Sequence, residues 1–131
     1  MKMNGRILLD TNIVIAVFSG EESIQRYIEK ANEIFIPVIV IGELYFGAYN
    51  SMNMERNIEK IDEFVANSTI LSCDAYTAKI YGKIKGDLKK KGKPIPENDI
   101  WIAALADQYG LLLVTKDSHF KNIDDFSVEL L

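Results

Sequence analysis

Short apolar runs alternate with longer helical patterns along this chain, and that alternation restricts the fold more than any other feature. The first run, residues 7–9 of "RILLDTN", reads as a strand that is hydrophobic on both faces, with helix following over about 12–18. A second helix is predicted over 21–32, a second strand over 34–36 and a helix over 38–49, where Pro37 suits the start. Ile58, Ile61, Phe64 and Val65 have the spacing of an amphipathic helix over 54–66. A third strand over 69–72 leads into a long helix ending near Gly92, with Tyr76, Ile80, Ile84 and Leu88 as its buried stripe. The segment "KGKPIPEN" is a loop, residues 99–109 are helical and stopped by Gly110, and residues 111–115 form a strand. A last strand is expected over 126–128. Strands separated by helices imply a mainly parallel sheet covered on both faces, a three-layer α/β/α domain.

With 131 residues and no internal repeat or linker, residues 1–131 read as a single domain with one core. At 48% hydrophobic and 26% charged the chain is far from disordered composition. The one cysteine, Cys73, excludes an internal disulfide and a cysteine-based metal cluster, and suits a reducing cytoplasm. Met1 to Gly5 lacks an apolar signal segment, and the longest apolar stretch, 34–42, is broken by Pro37 and too short to span a bilayer. The expectation is a soluble cytoplasmic domain without a membrane partner. A net charge of -4 argues mildly against nucleic-acid binding, but six of the 15 Lys+Arg residues fall within "KIKGDLKKKGK". The average hides a basic patch.

Ligands of open parallel sheets bind beyond the carboxyl ends of the strands, where strand order reverses. Asp10 ends the first strand, Asp117 follows the strand "LLLVT", Glu43 lies on the helix after the second strand, and Asp99 opens the helix "DIWIAALA". Each has a plain structural alternative. Asp10 is a favoured helix cap, Asp99 complements a helix dipole, and Asp117 sits in the turn-like "KDSH". Glu43 is the only charged residue between Glu33 and Glu55, which requires a buried ion pair or a bound cation. Together, four carboxylates at one edge would repel each other and raise their own pKa values. A divalent cation relieves that repulsion, and an all-oxygen set suits Mg²⁺ or Mn²⁺. Removing these four charges brings the formal -4 to zero, so the acidity belongs to the site.

"LLDTN", the isolated Glu43, "NDIWIAALA" and "LVTKD", in this order and spacing over essentially the whole chain, resemble the PIN domain, a family of metal-dependent nucleases. A stand-alone chain of this length is most similar to the VapC ribonuclease toxins of prokaryotic toxin–antitoxin pairs. The resemblance implies that Asp10, Glu43, Asp99 and Asp117 are catalytic and bind Mg²⁺ or Mn²⁺, with Asn12 and Thr115 as supporting polar groups. It implies an RNA substrate, single-stranded or looped, a cognate VapB-like antitoxin and a homodimer. His119, the only histidine, is read as a turn or surface residue, which leaves no acid–base pair for metal-free RNA cleavage. Lys89, Lys90 and Lys91 are either a solvated helix face or contacts to RNA phosphates.

Two other readings compete. A receiver-like regulatory module would use an acidic Mg²⁺ pocket, with Asp74 after "TILSC" as acceptor and Lys116 as the late lysine, but leaves Glu43 unexplained. An RNA-processing or structure-specific DNA nuclease with the same pocket would need extra helices or domains for which this chain has no room.

Overall fold

The structure, a computed structural model, describes residues 5–131. Its elements are β1 (Arg6–Leu9), α1 (Thr11–Phe18), α2 (Glu22–Glu29), β2 (Glu33–Pro37), α3 (Val38–Tyr49), α4 (Met54–Ala66), β3 (Thr69–Leu71), α5 (Ala75–Lys91), α6 (Glu97–Tyr109), β4 (Leu112–Thr115) and β5 (Val128–Leu130). A short 3₁₀ turn, Ser118–Asn122, joins β4 to β5. The five strands pair in the order β3-β2-β1-β4-β5, every pairing parallel.

Ile7, Leu8 and Leu9 of β1 and Leu113 and Val114 of β4 are fully or nearly fully buried, as strands covered by helices on both faces must be. The helices pack pairwise, α5 on α6 and α3 on α4 most extensively. The middle of α6, from Ile102 to Ala106, is almost wholly enclosed and forms the centre of one layer. Among the described residues no helix is long and apolar enough to cross a membrane.

The strand order creates the feature that matters for function. From β1 the chain steps outward through β2 to β3, then returns to the other side of β1 with β4 and β5. The reversal falls between β1 and β4, so the ends of these two strands open onto the crevice where such sheets bind ligands. The amide of Asp10 donates to the carbonyl of Val114 at 3.0 Å and ties the two ends together. This order differs from the 2-1-3-4-5 order of receiver-like folds. Asp74, the acceptor that reading required, instead caps α5 in a reciprocal capping box with Thr77.

That box corrects the predicted stripe of α5. It turns Thr77 inward, where it is fully buried, and leaves Tyr76 64% exposed, while Ile84 and Leu88 face the core as expected. The helix stops at Gly92 in the left-handed conformation (φ 67°), reached without the penalty a Cβ would impose. Helix α6 begins two residues earlier than predicted, at Glu97. The last strand runs over 128–130 rather than 126–128, because the 3₁₀ turn and a left-handed Asp125 (φ 54°) lengthen the connection.

Candidate active site

Asp10 stands at the N-cap of α1 immediately beyond β1, only 3% exposed. Its Oδ1 accepts from the amide of Thr11 at 2.8 Å, and its Oδ2 accepts from the hydroxyl of Thr115 at 2.7 Å. Thr115, at the end of β4 and fully buried, also accepts the amide of Asp117 at 3.0 Å, so one hydroxyl fixes two carboxylate-bearing residues. The Asn12 amide group lies between them, donating to Oδ2 of Asp117 at 3.2 Å and, more weakly, to Oδ2 of Asp10 at 3.4 Å. Its carbonyl accepts the amide of Lys116 at 3.1 Å, which stitches α1 to the loop after β4.

Asp99, in the first turn of α6, is buried, and its Oδ2 lies 2.6 Å from Nε2 of His119. Glu43 is half-buried rather than enclosed. The buried ion pair that was one of its two expected partners is not seen among the described residues; Thr11 Oγ1 donates to Oε1 at 2.5 Å and Asn98 Nδ2 to Oε2 at 3.5 Å. All four carboxylates line one open cleft of about 580 Å³, with His119, Asn98 and Glu97 on its walls. Its size is that of a small-molecule site rather than of a single ion.

Burial dominates the electrostatics, and the crowding of acids adds to it. Burial, opposed by the hydrogen bonds from Thr115 and Thr11, pushes the Asp10 carboxyl up from 3.8 to about 6, and the charges of Asp99 and Asp117 add to the rise. Burial also raises Asp99, against the hydrogen bond and charge of His119, and Asp117 and Glu43 push it in the same upward direction. The mutual repulsion expected of these acids is therefore present, and a cation relieves it. One ligand atom each from Asp99, Asp117 and His119 can be chosen so that all lie within 4.8 Å of one another, a spacing that one ion can bridge. A donor set dominated by carboxylate oxygens fits a hard divalent cation.

The plain alternatives and the site readings are not exclusive. Asp10 is a helix cap and Asp99 a first-turn acid, yet both line the cleft. The lysine run does not line the cleft. Lys89 and Lys90 are exposed on the last turn of α5, while the ammonium of Lys91 donates to the Asn122 carbonyl at 2.5 Å and to Asp124 at 2.8 Å. Lys85, from the same run, pairs with Glu97 of the cleft wall at 3.1 Å. Two residues of the cleft, Thr11 and Asn98, were not among the predicted site residues, and His119, read as a turn residue, sits in the 3₁₀ turn as expected but also lines the cleft. "DTN" held the signal for Thr11, whose hydroxyl lies one residue from a strand-end acid. For His119 the signal was the neighbouring Phe120, an apolar residue that had to turn inward and takes the histidine with it.

A parallel sheet with acids clustered at its switch point defines a class, and the PIN-domain model matches residues 7–126, so the chain belongs to the PIN-domain family. Within that family the similarity is to VapC ribonucleases. Ribonuclease VapC2 of Haemophilus influenzae (strain Rd) is 42% identical over 114 residues, covering 86% of each chain. The tRNA(fMet)-specific endonuclease VapC of Shigella flexneri is 31% identical over 115 residues, covering 86% of this chain and 87% of its own. The crystal structure of VapBC2 from Rickettsia felis bound to a promoter DNA fragment superposes with a TM-score of 0.88 at 31% identity, covering 96% of this chain and 98% of that one.

Proposed function

We propose that this protein is an endoribonuclease, the toxin of a VapBC-type toxin–antitoxin pair, that hydrolyses RNA phosphodiester bonds with Mg²⁺ or Mn²⁺ as cofactor. The observation that carries the reading is the convergence of Asp10, Asp99, Asp117 and Glu43 on one cleft at the switch point, with Asp10 raised to about 6. Asp10, Asp99 and Asp117 would hold the cation, with Glu43 beside them. Bound there, it lowers the pKa of water and neutralises charge on the phosphate.

The protein's own groups do the rest. Thr115 and the Thr11 amide fix both oxygens of Asp10, and Asn12 fixes Asp117, so the anionic wall is organised before substrate arrives. Glu43, with Oε1 held by the Thr11 hydroxyl, orients the attacking water and accepts its proton. Water, not the RNA 2′-hydroxyl, is the nucleophile; its oxygen bonds to phosphorus as the P–O3′ bond breaks, and the departing 3′-oxygen takes a proton from solvent, so the products carry 5′-phosphate and 3′-hydroxyl ends. The open cleft suits single-stranded or looped RNA, whose backbone is accessible.

The similarity to VapBC complexes supports a VapB-like antitoxin as partner, while a homodimer and a cytoplasmic place of action follow from the family resemblance of the sequence motifs alone. Of Lys89, Lys90 and Lys91, the first two remain available to RNA phosphates. A PIN-domain nuclease outside toxin–antitoxin systems would share the cleft, but the relatives at 42% and 31% identity are named VapC. End-group analysis of RNA cleaved by the purified protein tests the chemistry. Products ligatable through a 5′-phosphate are expected, and 2′,3′-cyclic phosphate ends would overturn the water mechanism.

A further inference from the structure

We propose that His119 is a nitrogen ligand of the cation in this cleft and biases the site toward Mn²⁺ over Mg²⁺. The inference rests on the metal-dependent reading above and adds a donor of a different kind to a set of carboxylates. His119 Nε2 lies 2.6 Å from Asp99 Oδ2, and one ligand atom each from His119, Asp99 and Asp117 falls within 4.8 Å of the others. At this separation the two atoms converge on one point of the cleft, where a single cation would meet a carboxylate oxygen and an imidazole lone pair together.

The ring is delivered by the fold rather than by a floppy loop. Phe120 is fully buried and anchors the 3₁₀ turn, and the imidazole packs against it with centroids 4.8 Å apart at 36°. The His119 side chain is only 30% exposed, beside an Asp99 side chain at 13%. A donor fixed this way loses little freedom on binding, as a preorganised ligand should.

Donor chemistry then sets selectivity. Mg²⁺ takes oxygen ligands in near-ideal octahedral geometry and is bound through one or two carboxylates and water. An imidazole nitrogen moves a site toward first-row transition metals, of which Mn²⁺ still accepts the carboxylates that make up the rest of the set. The contrasting role is that of a positioning residue, in which His119 merely donates a hydrogen bond to Asp99 and never touches the cation.

Electron spin-echo spectroscopy of the full-length protein loaded with Mn²⁺ alone separates the two, because a coordinated imidazole imprints nitrogen modulation on the manganese signal. Modulation is expected in the native protein and is lost in His119→Gln, whose amide can reach the same place and keep the hydrogen bond to Asp99. By titration calorimetry, His119→Gln weakens Mn²⁺ binding at least about tenfold, while Mg²⁺ binding changes by no more than about twofold. A native Mn²⁺ signal without nitrogen modulation overturns the inference and leaves the nuclease reading standing. Equal losses for both metals in the variant also overturn it, in favour of positioning. Failure of the native protein to bind either cation overturns both readings.

Discussion

Replacing Asp10 by Asn in metal-free buffer should stabilise the protein at neutral pH and destabilise it in acid. Burial, the largest influence, holds the Asp10 carboxyl at about 6 against an ordinary 3.8. A folded-state pKa above the unfolded value gives stability that is full below about pH 4 and is lost as pH rises through about 6. At about 1.36 kcal/mol per pH unit, ionising this buried group costs the fold about 3 kcal/mol by pH 7. The neutral amide of Asn escapes that cost. It incurs a smaller one, because Asp10 accepts both the Thr11 amide and the Thr115 hydroxyl, and an amide carbonyl can serve only one side. One mispaired buried donor costs about 1 kcal/mol. The net is a gain of about 2 kcal/mol at pH 7, raising the melting temperature by about 5–8 °C for a domain of this size. At pH 4, where the folded Asp10 carboxyl is protonated and that cost is gone, the variant should be the less stable by up to about 1 kcal/mol. Thermal unfolding followed by circular dichroism in EDTA from pH 4 to pH 7 should show the two melting curves cross. A constant offset across that range, or a variant that melts lower at pH 7, would refute the reasoning.

Because a cation must displace the proton from Asp10, Mn²⁺ affinity measured calorimetrically should fall about tenfold between pH 7 and pH 5, and a flat profile would contradict the assigned ligand. Substituting Lys89 and Lys90 with Gln should weaken RNA binding and reduce its salt dependence while metal affinity stays constant, and an unchanged salt slope would return them to a solvated helix face. Lys91→Gln should instead destabilise the fold slightly, because its ammonium holds Asp124 and the Asn122 carbonyl, and its thermal unfolding would reveal this. In the antitoxin, a C-terminal arginine should occupy the acidic cleft through two hydrogen bonds to a carboxylate. Alanine there should relieve inhibition, and undiminished inhibition after loss of every C-terminal arginine would exclude this mode.

The core strands were legible because they are apolar on both faces, and only parallel strands under helices on both sides tolerate that: β1 and β4 lie where the runs "ILL" and "LLLVT" put them. Asp10, Asn12, Asp117 and Thr115 could be placed near one another because strand-end residues inherit their position from the sheet. Asp99 and Glu43 were harder, being brought to the cleft by helices whose packing no local pattern specifies. The exposure of Tyr76 was missed because a four-residue spacing cannot register that a capping box rotates the first turn of α5. The turn at His119 was legible, but its place on the cleft was not, because that depends on Phe120 entering the core and folding the segment into a 3₁₀ turn. The lysine run showed its charge but not its partners. Lys91 meets Asp124 across 33 residues of sequence, a contact that tertiary structure alone creates.

The central claim is that the acids at the switch point cleave RNA through a bound divalent cation. Its most direct test measures RNA cleavage by the native protein and by Asp99→Asn, each with Mg²⁺ or Mn²⁺ and again after EDTA. Asp99 is chosen because it faces the cleft from the first turn of α6, and Asn preserves its shape there while removing the charge. Cleavage by the native protein that EDTA abolishes and added cation restores is expected, with no cleavage by a folded Asp99→Asn under any condition. Cleavage by the native protein that persists in EDTA, or full activity in Asp99→Asn, would contradict it.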